Sequence, residues 1–250
     1  MAKIIYVGGL GHHPETTFKP IKDRLEQEGH EVIILDTSHI NTHEDRVQLV
    51  LKEYDKYYIG AHIGVDVFLL GQSAGGSAVR IAAERLEKEG KPLAGVILLS
   101  PAMPFGIFFM TLPLWNIMKK RWAEILFGKV INPTEEEFET LLAPLAKEGR
   151  AETLASRRSI SGIESRTLAF NSPRFVGYKF PTLHIFGDCD KWIAPSAQRK
   201  LSKKLRIRSD VCTREVEGTG HITFTSRKGD RVVSLIVGWI KVRSVKILLS

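Results

Sequence analysis

Residues 65–75, Val65-Asp66-Val67-Phe68-Leu69-Leu70-Gly71-Gln72-Ser73-Ala74-Gly75, decide the fold of this chain. The first six form a short, mostly apolar run, which is typical of a strand buried in a parallel sheet. The residues from Ser77 to Glu89 place apolar and charged side chains on opposite faces at helical spacing. Ser73 is therefore expected on a tight turn between a strand and a helix, where glycines at positions 71 and 75 leave room for the backbone.

Strands and helices alternate along most of the remaining sequence. Alternation of this kind predicts an α/β fold with a doubly wound, mostly parallel sheet of about six strands. We expect the strands at Lys3–Val7, Glu31–Asp36, Val65–Leu70, Ala94–Leu99, Thr182–Gly187 and Val211–Val216.

Residues 102–178 interrupt this alternation and are too many for a simple loop. We expect an inserted helical cap there, with helices at 114–127, 134–147 and 151–158, on a core formed by residues 1–101 and 179–250. The cap would lie above the carboxyl edge of the sheet, where apolar side chains can line an acyl or aromatic pocket. The expected pocket residues are Phe105, Phe108, Phe109, Trp115 and Trp192.

The composition is typical of a globular protein and does not favour a nucleic-acid-binding or a disulfide-bonded one. The 250 residues fit one domain with an insertion, and 43% hydrophobic and 26% charged residues are ordinary values. The net charge is +8, but lysine and arginine are spread along the chain, so we expect a solvated surface and no nucleic-acid partner. Cys189 and Cys212 are expected at opposite ends of the sheet, too far apart for a disulfide, which is compatible with a cytoplasmic protein.

Two features raise the question of a membrane. The stretch from Pro92 to Met118 has no charged residue and is long enough to cross a bilayer, but prolines interrupt it. We expect a buried strand leading into an apolar cap instead. Trp115 and Trp122 lie beside the basic run Lys119-Lys120-Arg121, which indicates either weak membrane-surface contact through the cap or an ordinary solvated basic face. We favour the ordinary face.

A serine hydroxyl is a weak nucleophile near neutral pH and needs a base that a third group orients. Of the eight histidines, His221 follows the last strand in a glycine-containing loop, at the same sheet edge as Ser73. The acid should come between them in sequence, at the end of a strand, where both Asp188 and Asp190 stand. We favour Asp190, three residues beyond Gly187, because the loop can turn there toward the histidine. Asp188 can instead hold the loop through backbone hydrogen bonds.

The order Ser73, Asp190, His221, with a glycine-rich loop after the first strand, resembles the α/β-hydrolase superfamily, and in particular its serine esterases and lipases with a helical cap. The resemblance covers nearly the whole chain. It implies that backbone N–H groups of Leu10 and Ala74 form an oxyanion hole. The chain departs from the family pattern at positions 8–9, where Gly-Gly replaces a frequent His-Gly. It also starts at what would be the third strand of the full fold.

Together these features predict hydrolysis of a carboxylic ester through an acyl-enzyme on Ser73, with no cofactor and no metal. An apolar cap favours a lipophilic small-molecule ester or a monoacyl lipid. The same side chains are compatible with a thioester, a lactone, an amide or a carbon–carbon bond as substrate. A different class of function is a receptor that keeps the fold and binds a ligand without turnover. The sequence carries no indication of oligomeric state.

Overall fold

A computed structural model describes residues 1–11, 13–60, 66–103, 111–142, 151, 154–170, 177–225 and 228–247. The main sheet of this described part has six parallel strands, and each confirms a predicted strand to within two residues at either end. The strands are β1 (Ala2–Val7), β2 (Glu31–Ile34), β3 (Asp66–Gln72), β4 (Gly95–Leu99), β7 (Thr182–Gly187) and β8 (Val211–Val216). The predicted α/β class with a doubly wound sheet is confirmed.

The strand order determines where a site can form. The order is β2-β1-β3-β4-β7-β8. The strand that follows β1 in the chain, β2, lies on one side of it, and the next strand, β3, lies on the other side. In sheets of this type a crevice opens outside the carboxyl ends of the strands at the point of reversal. Val7 at the end of β1 is paired with Gly71 near the end of β3. The loop after β1 and the turn at Ser73 therefore meet at this crevice.

Helices cover both faces of the sheet. On one face lie α1 (Pro14–Gln27) and α9 (Gly229–Ile247), and on the other lie α2 (His43–Gly60), α3 (Ala74–Lys88) and α8 (Pro195–Leu205). Each layer buries its own apolar cluster against the strands, which explains why the inner strands β1, β3 and β4 are apolar on both sides.

The segment between β4 and β7 is more divided than the sequence predicts. Its described residues form α4 (Leu112–Lys120), α5 (Trp122–Leu126), β5 (Val130–Ile131), α6 (Glu135–Leu142), β6 (Ile160–Ser161) and α7 (Gly162–Phe170), with β5 and β6 antiparallel. The helix predicted at 114–127 is interrupted at Arg121. The two-residue strands and α7 were not predicted, because strands so short leave no periodic pattern and α7 is buried on more than one side. The division into a core and an inserted cap stays a prediction.

Within the described residues, the uncharged stretch before Met118 contains strand β4 and the beginning of α4. No helix of the described part is long and apolar enough to cross a membrane. Cys189 and Cys212 are both free thiols.

Candidate active site

Ser73 occupies the turn between β3 and α3 in a strained backbone conformation, with φ 54° and ψ −120°. Residues other than glycine rarely adopt positive φ, so the surroundings must hold this one in place. The Ser73 N–H donates to the Leu99 carbonyl at 3.0 Å, and the Ser73 carbonyl accepts from the N–H groups of Ala102 and Ser77. These bonds fix the serine on top of the sheet edge.

The flanking glycines are required by close backbone contacts. A Cβ added at Gly71 would lie 2.5 Å from the carbonyl oxygen of Gly75. A Cβ at Gly75 would lie only 2.0 Å from the carbonyl oxygen of Val7 in the neighbouring strand. Neither distance is sterically allowed, and the atoms concerned are backbone, so they cannot move aside. The turn forms only with glycine at both positions.

Three side chains meet at this edge in a continuous chain of hydrogen bonds. His221 Nε2 lies 2.8 Å from Ser73 Oγ, and His221 Nδ1 lies 2.8 Å from Asp190 Oδ2. Because a carboxylate only accepts, the Nδ1–H donates to Asp190, and Nε2 accepts the hydroxyl proton of Ser73. Ser73, Asp190 and His221 are 6%, 4% and 2% exposed, so a reactant can reach them only through a pocket.

Asp190 and Asp188 have different partners. The second oxygen of Asp190 accepts from the backbone N–H groups of Trp192 at 2.7 Å and Ile193 at 3.0 Å, which fixes the carboxylate in front of the histidine. Asp188 Oδ1 accepts from the Gly218 N–H at 2.6 Å and so joins the two loops that carry the acid and the base. Of the two candidates that the sequence leaves open, the structure brings Asp190 to His221.

An indole ring supports the histidine from one side. The rings of Trp192 and His221 are stacked, with 5.1 Å between centroids and 13° between planes. The flat contact limits rotation of the imidazole and places an electron-rich face beside it. This arrangement suits a base that must keep one orientation while it gains and loses a proton.

The loop after β1 lies beside Ser73. Leu10 from this loop and Ala74 line the same cavity as Ser73. Ala74 is the first residue of α3, so its N–H belongs to the positive end of the helix dipole. The Gly9 N–H donates to Gln72 Oε1 at 3.1 Å, which fastens the loop to the residue preceding the serine. The position of both candidate donors is compatible with an oxyanion hole, and that role stays a proposal.

Ser73 lines a cavity of about 1000 Å³, open mouth included, between the sheet edge and the segment that follows β4. The lining is apolar over most of its area and includes Leu10, Met103, Leu114, Ile117, Met118, Ile125, Phe138, Leu168, Ala169 and Trp192.

Of the predicted pocket residues, Trp192 lines this cavity. Phe105, Phe108 and Phe109 lie outside the described residues. Trp115 is not among the described residues that line the cavity: its side chain is 44% exposed. The correction follows from helical geometry, because the residues on the inner side of α4 are Leu114, Ile117 and Met118.

Arg121 was expected on a solvated basic face and instead lines the cavity. Its Nη2 donates to Glu137 Oε2 at 3.0 Å, and Nη1 lies 3.4 Å from Glu124 Oε1. Burial raises the pKa of Glu137, but the hydrogen bonds from Arg121 and Thr134 and the charge of Arg121 outweigh burial and lower that pKa overall. The two partners remain charged and neutralise each other, so the cavity has one paired polar position in an apolar wall.

The sequence model of the alpha/beta hydrolase family matches residues 4–235, and the strand order and the strained serine turn lie within that range. The chain belongs to the alpha/beta hydrolase family. A comparison with curated protein sequences gave no match.

Solved structures of the same fold include two lipases and an esterase. The monoacylglycerol lipase of Paleococcus ferrophilus is 21% identical, with 96% of this chain and 94% of that chain covered and a TM-score of 0.70. A soluble variant of monoglyceride lipase from Saccharomyces cerevisiae, in complex with a substrate analogue, is 15% identical. The match covers 97% of this chain and 86% of that chain, with a TM-score of 0.71. Polyneuridine aldehyde esterase is 18% identical, with 96% and 99% covered and a TM-score of 0.66. At these identities the similarity shows a shared fold.

This alpha/beta hydrolase also contains a buried charged pair that the sequence analysis missed. Arg46 on α2 donates from Nε and Nη2 to the two carboxylate oxygens of Glu164 on α7, at 2.7 and 2.9 Å. Burial raises the pKa of Glu164, but the charge and hydrogen bonds of Arg46 lower it by more, so that the pKa is about 2. A signal was present: Arg46 stands one helical turn before the buried Val50, a position at which a cation faces the core.

Next to this pair is a second chain of serine, histidine and acid. His43 Nε2 lies 3.1 Å from Ser77 Oγ, and His43 Nδ1 lies 3.5 Å from Glu164 Oε1. All three side chains are at most 1% exposed, and none is among the residues that line the cavity. Burial lowers the pKa of His43 and keeps its ring neutral. With no access for a reactant, this group connects helices and does not form a second reactive centre.

Proposed function

We propose that this protein hydrolyses carboxylic esters that have a lipophilic part, through an acyl-enzyme on Ser73. One observation carries the proposal: the Ser73 hydroxyl donates to His221, which Asp190 orients, at the wall of a large apolar cavity. A serine so arranged is equipped to attack a carbonyl carbon.

The first half of the reaction forms the acyl-enzyme. Ser73 Oγ bonds to the carbonyl carbon while its proton moves to His221 Nε2, and the imidazolium so formed is stabilised by Asp190. The carbonyl oxygen becomes negatively charged and accepts from the N–H groups of Ala74 and Leu10, each worth about 3 kcal/mol in comparable sites. The tetrahedral intermediate then breaks its bond to the alcohol oxygen, which takes the proton from His221 and leaves.

The second half releases the acid. A water molecule gives a proton to His221 Nε2, and its oxygen bonds to the acyl carbon. The second tetrahedral intermediate breaks its bond to Ser73 Oγ, which recovers the proton from the imidazolium. The free carboxylic acid leaves, and the serine is ready for another turnover.

The cavity supports a lipophilic substrate. Its apolar wall suits a medium-length acyl chain or a monoacyl lipid, which gains free energy as its methylene groups leave water. In this proposal residues 102–178 act as the cap that covers the site. Two lipases and an esterase share this fold, which supports an ester substrate.

The test is hydrolysis of p-nitrophenyl esters of increasing chain length. We expect a higher kcat/KM for the octanoate and decanoate esters than for the acetate. Ser73→Ala and His221→Ala should each lower kcat by a factor of about 10³ or more. A fluorophosphonate probe should label the wild type and leave Ser73→Ala unlabelled. Equal hydrolysis by wild type and His221→Ala would overturn the proposal, and an unlabelled wild type would favour a receptor without turnover.

A further inference from the structure

One peptide group in the loop after β1 is held at both of its polar ends. The carbonyl oxygen of Gly8 accepts from Arg46 Nη1 at 2.8 Å, and the N–H of Gly9 donates to Gln72 Oε1 at 3.1 Å. These two atoms belong to the same peptide plane. The plane therefore cannot rotate without breaking one or both of these hydrogen bonds, and the bond from Arg46 is charge-assisted.

Arg46 is itself fixed in direction. Its Nε and Nη2 are occupied by the two carboxylate oxygens of Glu164, and the planar guanidinium then directs Nη1 to Gly8. Arg46 and Glu164 are each 1% exposed. A buried ion pair by itself contributes little net stability, because desolvation offsets most of the attraction. The third contact, to the loop carbonyl, shows what the guanidinium is placed to do.

The next peptide along the loop carries the N–H of Leu10, the expected oxyanion donor. Its orientation depends on the plane that Arg46 and Gln72 hold. Beyond it the loop is fastened again, since the Gly11 carbonyl accepts from the Arg158 N–H at 2.9 Å. The N–H of Leu10 thus lies between two anchored points, and one of the anchors is a side chain remote from the reacting atoms.

We propose that Arg46 is a positioning residue for the oxyanion hole and that Glu164 orients it. This inference rests on the proposed ester hydrolysis, because it assumes that Leu10 donates to the developing oxyanion. Glu164 lies on α7, and its neighbours Ser165, Leu168 and Ala169 on that helix line the cavity. The same helix therefore forms part of the substrate wall and sets the geometry of the charge-stabilising loop.

The variants Arg46→Lys and Glu164→Gln test this role. Lysine keeps the positive charge beside Glu164 but has one nitrogen, which cannot bind both carboxylate oxygens and the Gly8 carbonyl together. Glutamine keeps the shape of Glu164 without its charge. The control is Arg85→Lys, since Arg85 makes the same two-pronged contact with Glu44 on the surface, at 2.6 and 2.8 Å.

We expect Arg46→Lys to lower kcat by about 10- to 100-fold with KM changed by less than about threefold, because the donor acts in the transition state. Affinity for a trifluoromethyl ketone, whose adduct places an oxyanion in the hole, should fall in parallel with kcat. Affinity for the product decanoic acid should stay close to that of the wild type. Glu164→Gln should show the same pattern with a smaller effect, and Arg85→Lys should match the wild type.

A folded Arg46→Lys with wild-type kcat would overturn the inference, as would an equal loss of affinity for the ketone and for decanoic acid. If Arg46→Lys does not fold, Glu164→Gln decides by the same criteria. A wild type that neither hydrolyses esters nor reacts with fluorophosphonate would refute the proposed function instead. In that case hydrogen exchange at the Gly9 N–H decides on the anchoring: faster exchange in Arg46→Lys supports it, and unchanged exchange overturns it.

Discussion

At the scale of single residues, the position of the Ser73 hydroxyl depends on neighbouring backbone atoms and side chains. The left-handed backbone at Ser73 is allowed because Gly71 and Gly75 have no Cβ and because Leu99 and Ala102 hold the serine by backbone hydrogen bonds. His221 keeps its orientation through Asp190 on one nitrogen and through the stacked ring of Trp192. The strained backbone conformation of this turn directs the hydroxyl to the cavity and places it over the positive end of α3.

The two aspartates provide a matched pair of variants. Asp190→Asn leaves the shape intact but removes the charge that orients and stabilises the imidazolium, so we expect kcat to fall by a factor of about 10³ to 10⁴. Asp188→Asn removes the same charge two residues earlier, where the carboxylate accepts from the Gly218 N–H and has no described contact with His221. We expect less than about a tenfold loss there. Steady-state kinetics of both variants with one ester measure the difference, and a larger loss in Asp188→Asn would contradict the assignment.

At the scale of elements, α7 connects the buried ion pair with the cavity. Glu164 on this helix bonds Arg46, and Leu168 and Ala169 line the cavity. A larger side chain at either of these two positions would reduce the space for a bound acyl chain. The length of the acyl chain that fits should therefore depend on this helix.

Ala169→Leu adds three carbon atoms to the wall of the cavity at a position that is 1% exposed. We expect KM for p-nitrophenyl decanoate to rise at least about tenfold and KM for the butyrate to change by less than about twofold, since a short chain does not reach the filled volume. The control is Ala123→Leu, an exposed position on α5. If Ala169→Leu raises KM for the butyrate and for the decanoate by the same factor, α7 does not limit the length of the acyl chain.

The elements that the sequence predicts well are those with a strong local pattern. The strands β1, β3 and β4 are short apolar runs bounded by turn residues, and the edge strand Val211–Val216 follows from the alternation of strands and helices, so all six were predicted. The sequence could bring Ser73, Asp190 and His221 together because strand ends gather at one edge of such a sheet, and the structure places these three side chains in hydrogen-bond contact. The fragments β5 and β6 are too short to leave a pattern. The contact of Arg46 with Glu164 joins residues 118 positions apart and has no local pattern at all.

At the scale of the whole molecule, buried titratable groups make stability depend on pH. Burial lowers the pKa of His184 to about 3, and burial also lowers the pKa of His43. Both rings stay neutral in the folded protein, whereas the unfolded chain takes up protons below its ordinary pKa of 6.5. Their contribution is therefore complete above about pH 6.5 and is lost progressively as the pH falls toward the folded-state pKa. Glu164 adds a term that is present above pH 4.5 and is lost as the pH falls to about 2.

We predict that the free energy of unfolding falls between pH 7.5 and pH 5, with a contribution of about 2 kcal/mol from His184. Urea unfolding at the two pH values measures this change. His184→Gln is expected to be less stable at pH 7.5, because the ring bonds Ser202 and Gln198, but to lose less between the two pH values. Equal free energies for the wild type at both pH values would contradict the prediction.

In the proposed reaction Ser73 carries the acyl group during turnover. To detect this intermediate, the protein is mixed with p-nitrophenyl decanoate and quenched with acid within the first turnovers, and the acyl group is mapped by mass spectrometry of proteolytic peptides. We predict one decanoyl group on Ser73 of the wild type, accompanied by a burst of nitrophenol, and no acyl group or burst in Ser73→Ala. Hydrolysis by the wild type with no acyl group on Ser73, or undiminished hydrolysis by Ser73→Ala, would contradict the account.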